Sequence, residues 1–92
     1  MKRLVLKDWL YQRIAKEHNA PRIWGGNVDV IYQETEKAYR VMLSAVNHTV
    51  FTWIPKSGCE WEETDSEYKA TKICMSYEEA IEHRDYLRAC FC

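Results

Sequence analysis

Hydrophobic positions near the start of the chain recur with the period of an α-helix. Leu6, Leu10 and Ile14 are spaced four residues apart, and the polar positions fall largely on the other side: Lys7, Gln12, Arg13, Lys16 and Glu17. This spacing is typical of an amphipathic helix. We predict a first helix over residues 7 to 18. It ends before Pro21, which disfavours helical geometry at the preceding residue and cannot donate to a helical ladder.

From Val28 onward the period changes to two, the spacing of a β-strand. Val28 to Gln33 and Tyr39 to Ala45 each alternate between two faces, and Thr49 to Ile54 is rich in β-branched and aromatic residues. Short polar segments at Thr35 to Lys37 and Asn47-His48 separate them. The pattern therefore predicts three antiparallel strands joined as a meander.

The region after the third strand is more polar. Pro55 either stops that strand or places it at a sheet edge, and Lys56 to Gly58 form a turn. Cys59 to Trp61 then suggest a short return segment, and the run Glu62 to Glu67 is the best candidate for a mobile loop. Alternation resumes over Tyr68 to Met75, which predicts a fourth strand.

A second helix is signalled by Ser76. It stands three residues before Glu79, the spacing of a capping box, and Glu78 adds a second negative charge near the positive end of the helix dipole. Arg84 is tolerable on the inner stripe if its aliphatic stem packs and its charged head reaches water. The complete predicted stripe is Tyr77, Ala80, Ile81, Arg84, Leu87 and Phe91.

The order of these elements predicts a single α+β domain over residues 1–92. An N-terminal helix is followed by an antiparallel meander of three to four strands and by a C-terminal helix packed on the sheet. A strongly curled sheet that approaches a small barrel is the alternative. A length of 92 residues with 47% hydrophobic content and four Trp suits one compact core.

Charge and targeting signals restrict the function further. The net charge of -1 lacks the strong basic excess of a dedicated DNA- or RNA-binding domain. Charged residues interrupt the apolar stretch that follows Met1, and no run approaches the roughly 18 apolar residues of a membrane span. We expect a cytoplasmic protein whose cysteines are reduced.

The cysteines do not have the spacing of a metal site. Zinc knuckles use closely paired ligands, whereas Cys59 and Cys74 are far apart and Cys90 and Cys92 lie at the end of the chain. We expect free thiols, no metal and no cofactor, although His83 could join these cysteines around zinc, and disulfides remain an open alternative.

Catalytic motifs give no stronger signal. A nucleophilic pair of Cys74 with His48 or His83 has nothing in the sequence to position it, and Gly25-Gly26 lacks the surroundings of a phosphate-binding loop. The sequence therefore predicts no catalytic residue, and we expect the protein not to be an enzyme.

Partner-binding residues are suggested by the acidic run and by the abundance of aromatic side chains. Four Trp and six Tyr exceed what a small core easily buries, and exposed Trp, Tyr and Arg are common anchors of protein interfaces. The acidic residues lack the spacing of a calcium loop, so they form either a solvated loop or a patch that mimics nucleic acid. The candidate partner-binding residues are Glu60, Glu62, Glu63, Asp65, Glu67, Trp61, Trp53 and Lys56.

Two short segments carry a resemblance. Glu34-Thr35-Glu36-Lys37-Ala38 and Trp53-Ile54-Pro55-Lys56-Ser57 together resemble a pattern in small uncharacterised proteins encoded by phages and other mobile elements. Small phage proteins often inhibit host defence, and anti-CRISPR proteins are among them. By analogy, the resemblance implies a non-enzymatic inhibitor that binds a host or defence protein such as a CRISPR-Cas nuclease.

A second class of function remains open from the sequence. Lys56, Arg40, Trp53 and Phe51 could form an aromatic and basic surface for single-stranded nucleic acid on the meander. The chain would then be a small accessory protein of phage nucleic-acid metabolism that binds DNA or RNA.

Overall fold

The computed structural model describes residues 1–18, 27–44, 49–67 and 69–91. These ranges form an α+β fold with two helices and two sheets, one of three strands and one of four. The strands are β1 (Lys2–Leu6), β2 (Asn27–Val28), β3 (Val30–Glu34), β4 (Ala38–Ser44), β5 (Thr49–Pro55), β6 (Cys59–Glu63) and β7 (Lys72–Ile73). The helices are α1 (Asp8–Glu17) and α2 (Tyr77–Phe91), and Lys56–Gly58 form one 3₁₀ turn.

The predicted meander is confirmed by β3, β4 and β5, which pair antiparallel in that order. The turn between β3 and β4 lies at the predicted position, where the Thr35 N–H donates to the Ala38 carbonyl over 2.8 Å. Pro55 is the last residue of β5, and β5 is an edge strand. The predicted turn at Asn47-His48 lies outside the described residues.

The predicted fourth strand, Tyr68 to Met75, is wrong in length and direction. Tyr68 lies outside the described residues, and within 69–75 only Lys72–Ile73 form a strand, β7, which runs parallel to β3. The four-stranded sheet has the order β5-β4-β3-β7 and is therefore mixed. Thr71, the residue before β7, explains why this strand is short. Its N–H donates to the Lys2 carbonyl of the other sheet over 3.1 Å.

The three-stranded sheet was not predicted. Its order is β2-β1-β6, and β1 is the central strand. The return segment predicted at Cys59 to Trp61 is a longer strand that pairs with β1. Glu62 and Glu63 therefore belong to a paired strand, and their assignment to a mobile loop is wrong.

The predicted strand from Val28 to Gln33 divides at Asp29, where the chain passes from one sheet to the other. The Asp29 N–H donates to the Met42 carbonyl, and the Asp29 carbonyl accepts from the Lys72 N–H, each over 3.0 Å. The main chain thus stays hydrogen-bonded across the change of sheet. Burial raises the pKa of the Asp29 carboxyl.

The core consists of two clusters on opposite faces of the four-stranded sheet. The first lies towards α1 and the three-stranded sheet, and it contains Leu4, Leu6, Leu10, Ile14, Val28, Ile31, Val41, Leu43, Val50 and Ile54. The second lies towards α2 and contains Val30, Tyr32, Met42, Cys74 and Ala80, with Phe51 packed against it. Because side chains alternate between the two faces along β3 and β4, these strands contribute residues to both clusters.

Both helices lie where the sequence pattern places them, but Leu6, the first position of the predicted apolar stripe of α1, belongs to β1. α1 buries Leu10 and Ile14 as predicted. The capping box of α2 is present: the Ser76 Oγ accepts from the Glu79 N–H over 3.2 Å, and a Glu79 carboxylate oxygen accepts from the Met75 N–H over 2.8 Å. Ala80 is fully buried. α2 therefore packs on the sheet, as predicted, with this part of its stripe facing inward.

Candidate functional site

Four aromatic side chains and one arginine form a surface on the α2 face of the four-stranded sheet. We call Tyr32, Arg40, Phe51, Trp53 and Tyr77 the aromatic patch. The strand register explains it, because Arg40 is paired with Trp53, and alternation places Phe51 on the same face of β5. Tyr32 comes from β3 and Tyr77 from the first turn of α2.

Arg40 lies between two rings of the aromatic patch. Its guanidinium carbon is 5.5 Å from the centroid of the Tyr32 ring and 5.8 Å from that of Trp53, within the range of cation–π attraction. Its Nη1 also donates to Gln33 Oε1 over 3.3 Å. These contacts hold a positive charge between aromatic faces at the protein surface.

The remaining rings of the patch contact one another edge to face or at a tilt. Tyr32 lies 6.2 Å from Phe51 and 5.9 Å from Tyr77, and Phe51 lies 5.0 Å from Tyr77, all between ring centroids. These separations are typical of favourable aromatic pairs. Trp53 is 43% exposed and Tyr77 is 48% exposed, so the patch is open to solvent although its rings contact one another.

Lys56 is separate from the aromatic patch. Its ammonium pairs with the Glu34 carboxylate and lies 4.9 Å from the centroid of the Tyr39 ring. Tyr39 and Arg40 are consecutive in β4 and therefore point to opposite faces. The hydrogen bond to Glu34 raises the pKa of Lys56. Of the proposed aromatic and basic set, the structure brings together Arg40, Trp53 and Phe51 only.

The acidic run is divided between the two faces of β6. The register places Trp61 beside Leu4 and Glu63 beside Lys2, whereas Glu60 and Glu62 lie on the opposite face. Trp61 is 44% exposed. Asp65 and Glu67 follow the end of β6 and are also exposed.

Two carboxylates of the acidic run have cationic partners. Arg3 Nη2 lies 3.2 Å from Glu62 Oε2, and the N-terminal ammonium of Met1 lies 3.7 Å from Glu63 Oε2. Both pairs are solvent-exposed and contribute little to stability. They reduce the negative potential that the run presents to a partner.

The two described cysteines are free thiols. Cys59 donates a hydrogen bond to the Pro55 carbonyl over 3.3 Å, and burial raises the pKa of its thiol from 9.0 to about 11. Burial also raises the pKa of Cys74. Within residues 1–18, 27–44, 49–67 and 69–91, no group of three or more His, Cys, Asp or Glu is placed to hold a metal ion. The side chains of Cys90 and Cys92 lie outside the described set.

Other candidates from the sequence are not brought together. His48 and Gly25-Gly26 lie outside the described residues. His83 lies on α2 in a groove between that helix and the segment that leads into β7, and burial lowers the pKa of its imidazole. The described groove-lining residues are Glu67, Ala70, Thr71, Lys72, Glu79, Glu82, His83 and Tyr86.

Tyr32 and Tyr77 are the members of the aromatic patch that sequence reasoning missed. They come from β3 and α2, and only the packing of α2 on the sheet brings them beside Phe51. One signal was present: Tyr77 follows the helix cap directly, so it must lie in the first turn of a helix whose inner stripe meets the sheet. The sequence did not indicate which strand it would meet.

Comparison of the chain with protein-family models, with curated proteins and with solved structures finds no match. Neither helix in the described part of the chain is long and apolar enough to cross a membrane. The functional proposal therefore depends on the geometry of the surface.

Proposed function

We propose that this chain is a non-enzymatic binding protein of a phage or mobile element. It inhibits a host or defence protein, such as a CRISPR-Cas nuclease, in the cytoplasm of the host cell, and it contacts that protein mainly through the aromatic patch. The observation that carries this proposal is the exposed pair of Arg40 and Trp53, which is set on packed aromatic rings.

The composition of the patch supports protein binding. Trp, Tyr and Arg are the residues most enriched among those that dominate binding energy at interfaces. Trp53 and Tyr77 offer large apolar areas. Their rings already contact neighbouring side chains of the patch, so little side-chain entropy is lost when a partner covers them. A partner with a carboxylate or a carbonyl opposite Arg40 would complete the contact.

The acidic run is the second part of the proposal. Exposed carboxylates can occupy a basic groove that normally holds nucleic acid. Because Glu62 and Glu63 are already paired with cations, mimicry would depend on Glu60, Asp65 and Glu67, all of which are exposed. We expect this contribution to be smaller than that of the aromatic patch.

The experiment is affinity capture from a bacterial lysate that carries active defence systems, with and without added nuclease. Wild type is compared with Trp53→Ala and with Trp9→Ala. Trp9 is 51% exposed, but it lies on α1, towards the first core cluster. The proposal predicts a stoichiometric protein partner that survives nuclease, is retained by Trp9→Ala and is lost with Trp53→Ala. Equal capture by both variants would contradict the assignment of the patch.

Mimicry is tested with a triple variant, Glu60→Lys with Asp65→Lys and Glu67→Lys. Reversal of these charges should weaken capture by an amount that decreases as salt is raised, since exposed charges are screened. An unchanged affinity would remove the acidic run from the binding surface and leave the aromatic patch as the contact.

The alternative function is an accessory role in phage nucleic-acid metabolism. The observation that favours it is Arg40 between the rings of Tyr32 and Trp53, since single-stranded binding surfaces combine cations with aromatic platforms. Titration with a single-stranded oligonucleotide tests it. Binding that falls steeply with salt and is abolished by Trp53→Ala would favour this function, whereas no binding at low salt would remove it.

A further inference from the structure

The edges of the two sheets differ in how they are protected against pairing with another strand. Unprotected edges expose main-chain donors and acceptors, and proteins usually shorten such strands or place charges on them. Among the residues that the structure describes, β2 and β7 have two residues each. β6 carries Glu60, Glu62 and Glu63 among its five residues.

β5 has none of these protections within the strand. It is the other edge of the four-stranded sheet, it has seven residues with the sequence TVFTWIP, and none of them is charged. In the described part of the chain, β5 pairs with β4 and with no other strand. Pro55, at its end, is the one residue of β5 that lacks a main-chain donor.

We propose that β5 pairs antiparallel with β5 of a second copy of this chain. The two four-stranded sheets then form one continuous sheet of eight strands about a two-fold axis. This inference does not depend on the proposed inhibitor function, since pairing at the edge leaves both faces of the sheet in place.

The register follows from overlap of the centre of the strand with itself. Overlap of Val50–Ile54 with its own two-fold copy places Thr52 of one copy beside Thr52 of the other. Phe51 of each copy then lies beside Trp53 of the other, and Val50 lies beside Ile54. Aromatic and β-branched cross-strand pairs of this kind are favourable in antiparallel sheets.

Self-pairing is preferred over a charged partner because the edge carries no charge for such a partner to complement. The net charge of the chain is only -1, so two copies repel each other weakly. Trp53 is 43% exposed in the single copy and gains an aromatic neighbour in the pair. The aromatic patches of the two copies would then lie side by side on one face.

The test places charges at Thr52, which lies beside its own copy on the two-fold axis. We expect the wild-type protein to dimerise with a Kd between about 1 and 300 µM, measured by sedimentation equilibrium. Thr52→Lys alone and Thr52→Glu alone each place like charges together on the axis. Each should weaken the dimer about tenfold, whereas an equimolar mixture of the two should restore it as a heterodimer.

A control and a second measurement keep the test decisive. Gln12→Lys adds the same charge to an exposed position of α1, on the side away from the buried Leu10 and Ile14, and should leave the dimer unchanged. In the wild type, amide hydrogen exchange within Val50–Ile54 should slow as concentration rises. This readout does not require any variant to fold.

Three outcomes would overturn the proposal. They are a wild type that remains monomeric at 300 µM, variants at position 52 that dimerise as strongly as wild type, and exchange in β5 that is independent of concentration. A monomer that instead captures an extended peptide at β5 would also refute pairing between copies, and would assign the edge to another chain.

Discussion

Gly58 and Leu10 are in such close contact that a β-carbon added at Gly58 would lie 2.6 Å from Leu10 Cδ2. Leu10 is 2% exposed and therefore has little room to move. The Lys7 N–H also donates to the Gly58 carbonyl over 2.8 Å. The start of α1 is thereby fixed against the 3₁₀ turn that joins the two sheets.

We predict that Gly58→Ala destabilises the fold by about 1–3 kcal/mol, because overpacking displaces side chains in a dense core. Chemical denaturation followed by tryptophan fluorescence measures the change. Ser57→Ala is the matched control, since Ser57 is exposed in the same turn and its replacement should change stability by less than about 0.5 kcal/mol. Equal stabilities of the two variants would contradict the contact.

Thr71 joins the paired strands β1 and β2 through its hydroxyl. Thr71 Oγ1 accepts from the Leu4 N–H over 2.7 Å and donates to the Val28 carbonyl over 2.6 Å. Thr71→Val keeps the shape but leaves two part-buried main-chain groups unpaired, so we predict a loss of about 2 kcal/mol. Thr71→Ser keeps the hydroxyl and should retain most of the stability of the wild type. Urea unfolding measures the stability of both variants. If Thr71→Val were as stable as the wild type, the role of the hydroxyl would be refuted.

The capping box of α2 gives a third prediction. Ser76→Ala removes the acceptor for the Glu79 N–H and should cost about 1 kcal/mol, because that helix donor loses its partner. Ser76→Asp supplies another oxygen and should preserve stability. Thermal unfolding followed by far-ultraviolet circular dichroism compares the two variants. Melting temperatures that fall equally in both would show that the cap is not the source of the effect.

The Cys59 thiol gives a prediction about pH and reactivity. A pKa of about 11, compared with 9.0 for an ordinary thiol, reduces the thiolate fraction of the folded state. We expect iodoacetamide to modify native Cys59 at pH 8 about 100-fold more slowly than unfolded Cys59, because the thiolate is the reactive form. Peptide mass spectrometry on timed samples measures this rate. Native and unfolded rates that agree would contradict burial of the thiol.

The same shift in pKa affects stability at alkaline pH. Since the raised pKa favours the neutral thiol in the folded state, the unfolded chain loses this proton first as pH rises. The contribution is complete below pH 9 and is lost between pH 9 and about 11. Cys59→Ala should therefore show a shallower decline over this window than wild type. Parallel curves for the two proteins would rule out Cys59 as the titrating group.

The elements that the sequence predicted well are those specified by local pattern. Leu10 and Ile14 fixed α1, and Ser76 with Glu79 fixed the start of α2. The meander was predictable because its three strands are consecutive, and each strand pairs with a neighbour in sequence. Such elements require only the periods of helix and strand and short turns between them.

The three-stranded sheet was not predictable in this way, because its pairings join distant parts of the chain. Leu6 fits both the apolar stripe of α1 and the alternation of β1. It was assigned to the stripe, and no strand was predicted over Lys2–Leu6. β7 depends mainly on its pairing partner, because Lys72 and Ile73 form a ladder of just two residues with β3. Of the candidate site, Trp53 with Phe51 and Arg40 followed from the register of a hairpin, whereas Tyr77 required the packing of α2.

The central position of β1 has a consequence for how the protein forms during translation. Lys2–Leu6 are made before their main partner, Cys59–Glu63, which follows more than fifty residues later. At ordinary rates of synthesis this delay is roughly 3 to 10 s. The nascent chain can form α1 and the β3–β4 hairpin early, because their contacts are local, whereas Leu4 and Leu6 remain without their strand partners. A chaperone that binds emerging apolar segments would therefore find β1 unpaired during this delay.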